Sequence, residues 1–180
     1  MIQEATYNKV TQDTVEALRQ IVGADNVLIE QDALNPFTHD ETVGLSAMPE
    51  VVVQATSTQQ VSEIFTLAQE ARIPVTPRGG GYGLSGGAVA VHGGIVLSLA
   101  RMNRILEIDQ ENLMVTTEPG VITGDLHRAV EAEGLFYPPD PASLDSCTIG
   151  GNVAEGAGGP RAVKYGVTKD FVCGLEAVLP

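Results

Sequence analysis

The stretch PRGGGYGLSGG, Pro77 to Gly87, constrains this chain more than any other. Six of the nine residues from Gly79 to Gly87 are glycine, and apolar β-forming runs lie on either side. Glycine loses more backbone entropy on folding than any other residue. A stretch this rich therefore implies a use for backbone that side chains would obstruct. Two motifs overlap in it. Gly81, Gly83 and Gly86 match G-x-G-x-x-G, a dinucleotide fingerprint, which needs a helix directly after the loop. Gly83 to Gly87, with Ser85 at the centre, matches G-x-S-x-G, a nucleophile elbow, which needs a helix immediately behind its serine. The following residues, Gly86 to Gly94, have poor helix propensity and end in the turn signal His92-Gly93-Gly94. That counts against both motifs. It counts against Ser85 as a nucleophile served by His92 or His127. Glu107, about where a ribose-binding acid should stand, falls in a hairpin pattern instead. Two readings remain: a plain surface loop, or a nest of successive N–H groups that binds an anion without a helix. A diphosphate matches the nest, with Arg78 at the rim adding charge.

A second side-chain-poor segment, TIGGNVAEGAGG, runs from Thr148 to Gly159, about seventy residues further on. By itself it reads as tight turns and close strand packing, or as a surface on which a flat ring can lie. Taken together, the two segments suggest one extended ligand, its diphosphate on the first and its aromatic ring near the second.

The rest of the chain supplies a scaffold. Thr14 to Val22 reads as a helix with Val15, Leu18 and Val22 on one face and Gly23 as its stop. Val27 to Glu30 is a short strand, and Gln31 to Ala47 is irregular. A β-α-β pattern follows. Val51 to Ala55 is β-rich, Ser57 and Gln60 make a capping box, and Val61, Ile64, Phe65 and Ala68 form a helical stripe before the strand Pro74 to Pro77. Ala88 to Val91 and Ile95 to Leu99 are β-like runs around the His92-Gly93-Gly94 turn. Arg104 to Ile108 and Leu113 to Thr117 read as a hairpin, ended by Glu118-Pro119-Gly120. Ile122 to Glu133 is a second helix, FYPPDPAS is extended, and Phe171 to Leu179 is a last strand. That strand runs into Pro180 with nothing after it, which suggests a fragment of a longer protein.

Composition narrows the function. A net charge of −13 argues against a nucleic-acid partner, whose binding rests on neutralising phosphates with Lys and Arg. Cys147 and Cys173 form no C-x-x-C, so neither a metal site nor a disulfide framework is expected, and a reduced, cytoplasmic setting is the simplest reading. The first twenty residues lack the pattern of a signal peptide.

VTPRGGGYGLSGG, together with YPPDPASLDSCTIGGNVAEGAGGPRAVKYGVTKDFVCGLEAVLP, resembles the flavin-binding domain of the FAD-linked oxidases. These include vanillyl-alcohol oxidase, D-lactate dehydrogenase and the FAD subunit of bacterial glycolate oxidase, and the last two are the nearer match. The resemblance runs from FTHDET, Phe37 to Thr42, to Pro180. It implies an α+β, PCMH-type FAD-binding domain of two subdomains, a β-α-β lobe and an antiparallel lobe from about Ile95 onward, with FAD in the cleft between them. Residues 1–45 would form an N-terminal helical and irregular segment, and 46–180 the FAD-binding domain, incomplete at its C-terminus. By resemblance, Arg78, Gly79, Gly80, Gly81, Tyr82, Gly83, Leu84, Ser85 and Gly86 wrap the pyrophosphate, with Pro77 beside them. Gly120, Pro139, Asp140, Ser143, Thr148, Gly150, Gly151, Asn152 and Ala154 line the rest of the flavin. Gly158, Gly159, Tyr165 and Gly166 lie nearby.

Two departures from the family pattern stand out. Some relatives attach flavin through a histidine of the glycine loop. Tyr82 stands in that place, so the resemblance implies non-covalent FAD. Relatives often carry Asn where Gly156 stands. Lys164 has two readings, a contact to a flavin carbonyl or phosphate, or a solvated charge. His39 and Asp40 read as structural, His92 and His127 as exposed, and Cys147 as a packed residue. The chemistry implied is oxidation of a 2-hydroxy acid of glycolate or D-lactate type to the 2-oxo acid; the alternatives are another branch of the family, acting on an aryl alcohol, a sugar or an ether-lipid precursor, or a non-catalytic flavin-binding fragment. Electrons would leave to an iron–sulfur subunit, an electron-transfer flavoprotein or a quinone. An oligomer or complex, cytoplasmic or peripheral at the inner membrane, is implied as well. No cluster of cations and base suits a substrate carboxylate and hydroxyl. Relatives hold those groups in a C-terminal substrate domain that this chain is read as lacking, so no catalytic residue is nominated.

Overall fold

A computed structural model describes residues 6–179, and the chain divides into two units. Residues 1–5 of the N-terminal segment, and Pro180, lie outside the described residues. The first unit takes the chain up to Arg78, Leu84–Ser98 and the last residues from Val178. The second takes Gly79–Gly83 and Leu99–Ala177. The glycine-rich stretch thus contributes to both.

In the first unit, α1 (Gln12–Val22) begins two residues before Thr14. Thr11 is its N-cap: its hydroxyl accepts from the Thr14 N–H at 3.2 Å, and the Thr14 hydroxyl accepts from the Thr11 N–H at 3.4 Å. Val15, Leu18 and Val22 are buried on the expected face. β1 (Val27–Leu28) is shorter than expected because α2 (Gln31–Leu34) and a 3-10 turn at Asn35–Phe37 organise the segment read as irregular. The β-α-β run appears as β2 (Val51–Gln54), α3 (Thr58–Ala71) and β3 (Val75–Arg78). Ser57 caps α3, but the Gln60 amide oxygen accepts from the N–H and hydroxyl of Thr56 instead of closing a box on Ser57.

β4 (Ile95–Ser98) departs from expectation. It lies not in an antiparallel lobe but in the first sheet, parallel to β2 and β3 and between them, in the order β1-β2-β4-β3. All four of its residues are buried. A parallel strand covered on both faces reads as an unbroken apolar run, and such a run does not reveal its partners. Ala88–Val91 is a turn, not a strand. Gly86, Gly93 and Gly94 all have positive φ (76°, 71° and 72°) and bend the chain, while Ala90 packs with Leu34, Val52 and Val96. β3 is an edge strand, which suits Pro77, since proline cannot donate to a ladder. The FTHDET loop is structural, as read. Asp40 is buried and its Oδ1 accepts from the Thr42 N–H at 2.9 Å. Burial pushes the Asp40 carboxyl up, but the donors around it, the Thr42 N–H first, outweigh burial and hold the group below its usual range.

In the second unit, β5 (Ile105–Asp109) and β6 (Met114–Thr117) form the expected antiparallel hairpin. α4 (Thr123–Ala132) supplies Leu126 and Val130 to a core with Val121, against which Ile105, Ile108, Val115 and Ile149 pack. α5 (Ile149–Glu155) and α6 (Ala162–Tyr165) follow. The expected strand Phe171–Leu179 is absent: Phe171 ends a 3-10 turn, and from Val172 onward the backbone is irregular. A strand needs a neighbour for its hydrogen bonds, and among the described residues none pairs with this segment.

Candidate functional site

Within the second unit the two glycine segments meet. A Cβ added at Gly79 would land on Thr148 Oγ1, and one at Gly80 would lie 2.6 Å from the Ser146 carbonyl oxygen. Only glycine allows this approach. At Gly150 a Cβ would lie 2.6 Å from Pro119 Cβ, and the Gly150 N–H donates to the Pro119 oxygen at 2.8 Å. Gly120 is equally confined, its N–H donating to the Met102 oxygen at 2.7 Å. The bare loop thus rests on the turn that enters α5, and α5 rests on Pro119. The structure thus brings part of the first glycine segment against the start of the second.

The loop is chemically suited to an anion. Among the described residues, none accepts a hydrogen bond from the backbone N–H groups of Gly79, Gly80, Gly81, Tyr82 or Gly83. Gly81 has φ of 78°, a value that favours glycine. Five consecutive amides without protein acceptors, four of them without side chains, form a row of donors for a phosphate. Tyr82 is half exposed, with its ring folded against Gly80.

Arg78 differs from its expected place at the rim. It is only 7% exposed, and its guanidinium donates to the Ala88 and Pro36 oxygens, each at 3.2 Å, and lies over the Phe37 ring. Its guanidinium is thus engaged by carbonyls and a ring of the first unit, and the amides are the loop's main donors. Leu84 and Ser85 are exposed, and Gly86 packs against Leu45. No helix follows Ser85 before Gly94, in keeping with the rejection of both sequence motifs.

Thr148 caps α5, accepting from the Gly151 N–H at 3.3 Å. Asn152 is buried and its Nδ2 donates to Thr123 Oγ1 at 2.6 Å, so its side chain serves the interior of the unit. Cys147 packs beside the same hydroxyl, its Sγ 3.3 Å away, as a small buried residue. Ser143 presents its carbonyl to the Ser146 and Cys147 N–H groups, and Ala154 is exposed. Asp140 Oδ1 accepts from the Arg161 N–H at 3.0 Å, and Gly159 is packed against the Asp140 carbonyl. Gly158 packs against Val167 and Ala162, and Gly166 (φ 92°) against Asp170. Lys164 is exposed and donates to the Tyr165 hydroxyl at 2.9 Å.

His127 is not exposed as expected. It is 6% exposed and hydrogen-bonds the Pro139 oxygen at 2.8 Å. Its position was readable: Thr123, Leu126, His127 and Val130 stand at i, i+3, i+4 and i+7, the buried face of α4. His92 is exposed, beside Tyr7. Pro119 and Ser146, which seat the glycines, had no sequence signal of their own. Burial pushes the Tyr137 phenol up, against a hydrogen bond with Thr168. Among the described residues no group of His, Cys, Asp and Glu could hold a metal ion.

A family model described as an FAD binding domain matches residues 49–180. The chain belongs to this FAD-linked oxidase family. It is 48% identical over 170 residues to the glycolate oxidase subunit GlcD of Bacillus subtilis, covering 94% of this chain and 36% of that protein. It is 47% identical over 180 residues to the D-lactate dehydrogenase of Anaerostipes hadrus, covering 99% and 38%. The chain thus spans little more than a third of the length of these relatives. Among solved structures, p-cresol methylhydroxylase with substrate bound matches at TM-score 0.72 and 30% identity, over 82% of this chain and 30% of that one. Alkyldihydroxyacetonephosphate synthase matches in fold at TM-score 0.82 and 22% identity, over 91% and 32%. FAD is the cofactor of the family domain, and the loop fits it: a row of amides without acceptors, in a place that side chains would fill.

Proposed function

We propose that this chain is the FAD-binding portion of a flavin-dependent oxidoreductase that converts a 2-hydroxy acid of glycolate or D-lactate type to the 2-oxo acid. The observation that carries the reading is the bare loop Gly79–Gly83 seated on Thr148, in a chain 47–48% identical to relatives named for those substrates. FAD, when bound, would supply the redox chemistry. The protein's own part is binding and orientation. The amides of Gly79 to Gly83 would hold the diphosphate. Gly120 and Gly150 let the chain beside the loop pack closely, against Met102 and Pro119, and so fix the neighbouring backbone. Pro139, Asp140 and Ser143 border it. An electron acceptor, as an iron–sulfur subunit, an electron-transfer flavoprotein or a quinone, completes turnover. Among the described residues no helix is long and apolar enough to cross a membrane; a cytoplasmic protein, or one peripheral at the inner membrane, is the location we propose.

Adding glycolate or D-lactate anaerobically to the flavin-loaded protein with its natural flanking sequence should bleach the flavin's visible absorption. Bleaching by an aryl alcohol and not by a 2-hydroxy acid would assign the chain to another branch of the family.

Tyr82 carries a second expectation. A phenol at this position cannot form the histidyl link, and the reading is that the flavin is held without a covalent bond. Acid precipitation of the loaded protein should leave all yellow colour in the supernatant, and colour in the washed pellet would refute non-covalent attachment.

A further inference from the structure

We propose that His127 is a positioning residue for FAD, holding the Pro138-Pro139-Asp140 stretch in the conformation the cofactor meets. This rests on the reading above, that Pro139 and Asp140 border the flavin. The stretch has an anchoring problem written into its sequence. Tyr137-Pro-Pro-Asp-Pro141 contains three prolines in five residues, and proline has no N–H to donate. The backbone here can be held through its carbonyls, with few donors to help.

Among the described residues, a single group hydrogen-bonds any backbone atom of residues 136–142, and that group is His127. Its Nε2 lies 2.8 Å from the Pro139 oxygen. A carbonyl can only accept, so Nε2 carries the proton and donates. The imidazole projects from the buried face of α4, so its anchor is helical backbone and not a loop. Its ring is fixed as well. Tyr137 stands edge-on to it at 5.6 Å and 84°, and Phe171 stands edge-on to Tyr137 at 6.0 Å and 76°. From the other side Asp140 is held by Arg161, Oδ1 accepting from the backbone N–H at 3.0 Å and Oδ2 facing Nε at 3.3 Å. Removing His127 leaves a buried carbonyl without a donor and frees one end of a segment with no ladder to hold it. The cofactor would then have to order that segment as it binds, which weakens affinity without removing a direct contact.

The test compares the wild-type protein with His127→Leu, His127→Gln and Gly83→Val. It reads FAD affinity by flavin fluorescence, the visible flavin spectrum and the melting temperature. Glutamine can bring an amide N–H to the Pro139 oxygen; leucine fills space without a donor. His127→Leu should weaken FAD about tenfold or more, the scale of one unsatisfied buried acceptor, and shift the flavin band. His127→Gln should stay within about threefold of wild type, a few tenths of the same scale. Wild-type affinity and spectrum in His127→Leu would overturn the proposal, as would equal losses in the leucine and glutamine variants. Gly83→Val reports separately on the site: wild-type affinity there would refute the placing of FAD on the glycine loop, whatever His127 does.

Discussion

Valine at Gly79 should give a protein that neither retains FAD nor keeps its melting temperature, whereas valine at Gly83 should lose the cofactor alone. The two glycines lie four residues apart in one loop and differ in what surrounds them. At Gly79 an added Cβ meets Thr148 Oγ1, and Thr148 cannot yield freely. It is 3% exposed, and its hydroxyl is the cap that accepts from the Gly151 N–H. Overpacking costs about 1–3 kcal/mol and loss of the cap about 1 kcal/mol. For a chain of this size that is a fall of roughly 4–16 °C. At Gly83 a Cβ finds nothing nearer than Glu155 Oε1, at 3.9 Å, and the backbone is outside the left-handed region. The fold has no reason to object. The ligand does, because a branched side chain then stands beside the amide row. Hydrogen bonds to a charged group contribute about 1.5–3 kcal/mol each. Blocking two of them costs about 3 kcal/mol or more, roughly a hundredfold in affinity. Titration with FAD beside calorimetry of the free protein separates the effects. Unchanged affinity in Gly83→Val would count against the loop as the diphosphate site, and an unchanged melting temperature in Gly79→Val against its seat on Thr148.

Much of this arrangement is legible in the sequence, and the parts that are not share a physical cause. α1 and α3 were readable because Val15, Leu18 and Val22, and Val61, Ile64 and Ala68, recur at helical spacing and do bury one face. The β5–β6 hairpin was readable because Asp109 to Asn112 is a turn sequence, and Asp109 does accept from the Asn112 N–H. The place of β4 is not legible because Ile95 to Leu97 is an unbroken apolar run, and an apolar run names no neighbour. Ala88–Val91 failed as a strand for the same reason in reverse. Its residues are apolar enough to be buried, but positive φ at the flanking glycines turns the chain away from any ladder. α5 went unseen because Gly150 and Gly151 disfavour a helix locally. The Thr148 cap and the seat on Pro119 override that preference. For the site, residue type pointed to the amides of Gly79 to Gly83, since glycine advertises bare backbone. The side-chain partners of Arg78 and Asn152, Pro36 and Thr123, lie far along the chain, where local pattern cannot reveal them.

Truncating Arg104 to alanine should destabilise the protein at pH 7 and do so progressively less as the pH falls through the carboxylate range. Glu118 is buried and accepts from Arg104 three times: the backbone N–H at 2.8 Å, Nε at 3.1 Å and Nη2 at 2.6 Å. The Arg104 side-chain hydrogen bond, opposed by burial, holds the Glu118 carboxyl below its usual range. A carboxyl lowered on folding stabilises the protein above its unfolded value of 4.5, and that stability is lost as the pH falls through the lower folded value. Without the guanidinium, burial is left opposed only by the backbone N–H. The carboxyl then moves upward, and protonation relieves the variant where it harms the wild type. The deficit at pH 7 should be smaller than for a fully buried pair, because the Arg104 side chain is 70% exposed and its charge is shared with solvent. Glu118→Gln added to Arg104→Ala should recover part of it, since a neutral amide is less costly to bury than an unpaired carboxylate. Urea unfolding at pH 7 and at pH 3.5 measures both expectations, and a deficit that stays constant with pH would rule out the ion pair as its cause. The effect should reach the cofactor. Glu118 is followed by Pro119, whose carbonyl receives the Gly150 N–H and whose ring leaves no room for a Cβ there. Loosening the clamp loosens the seat of α5, and FAD affinity should fall in the same variants, in the same order as their stability.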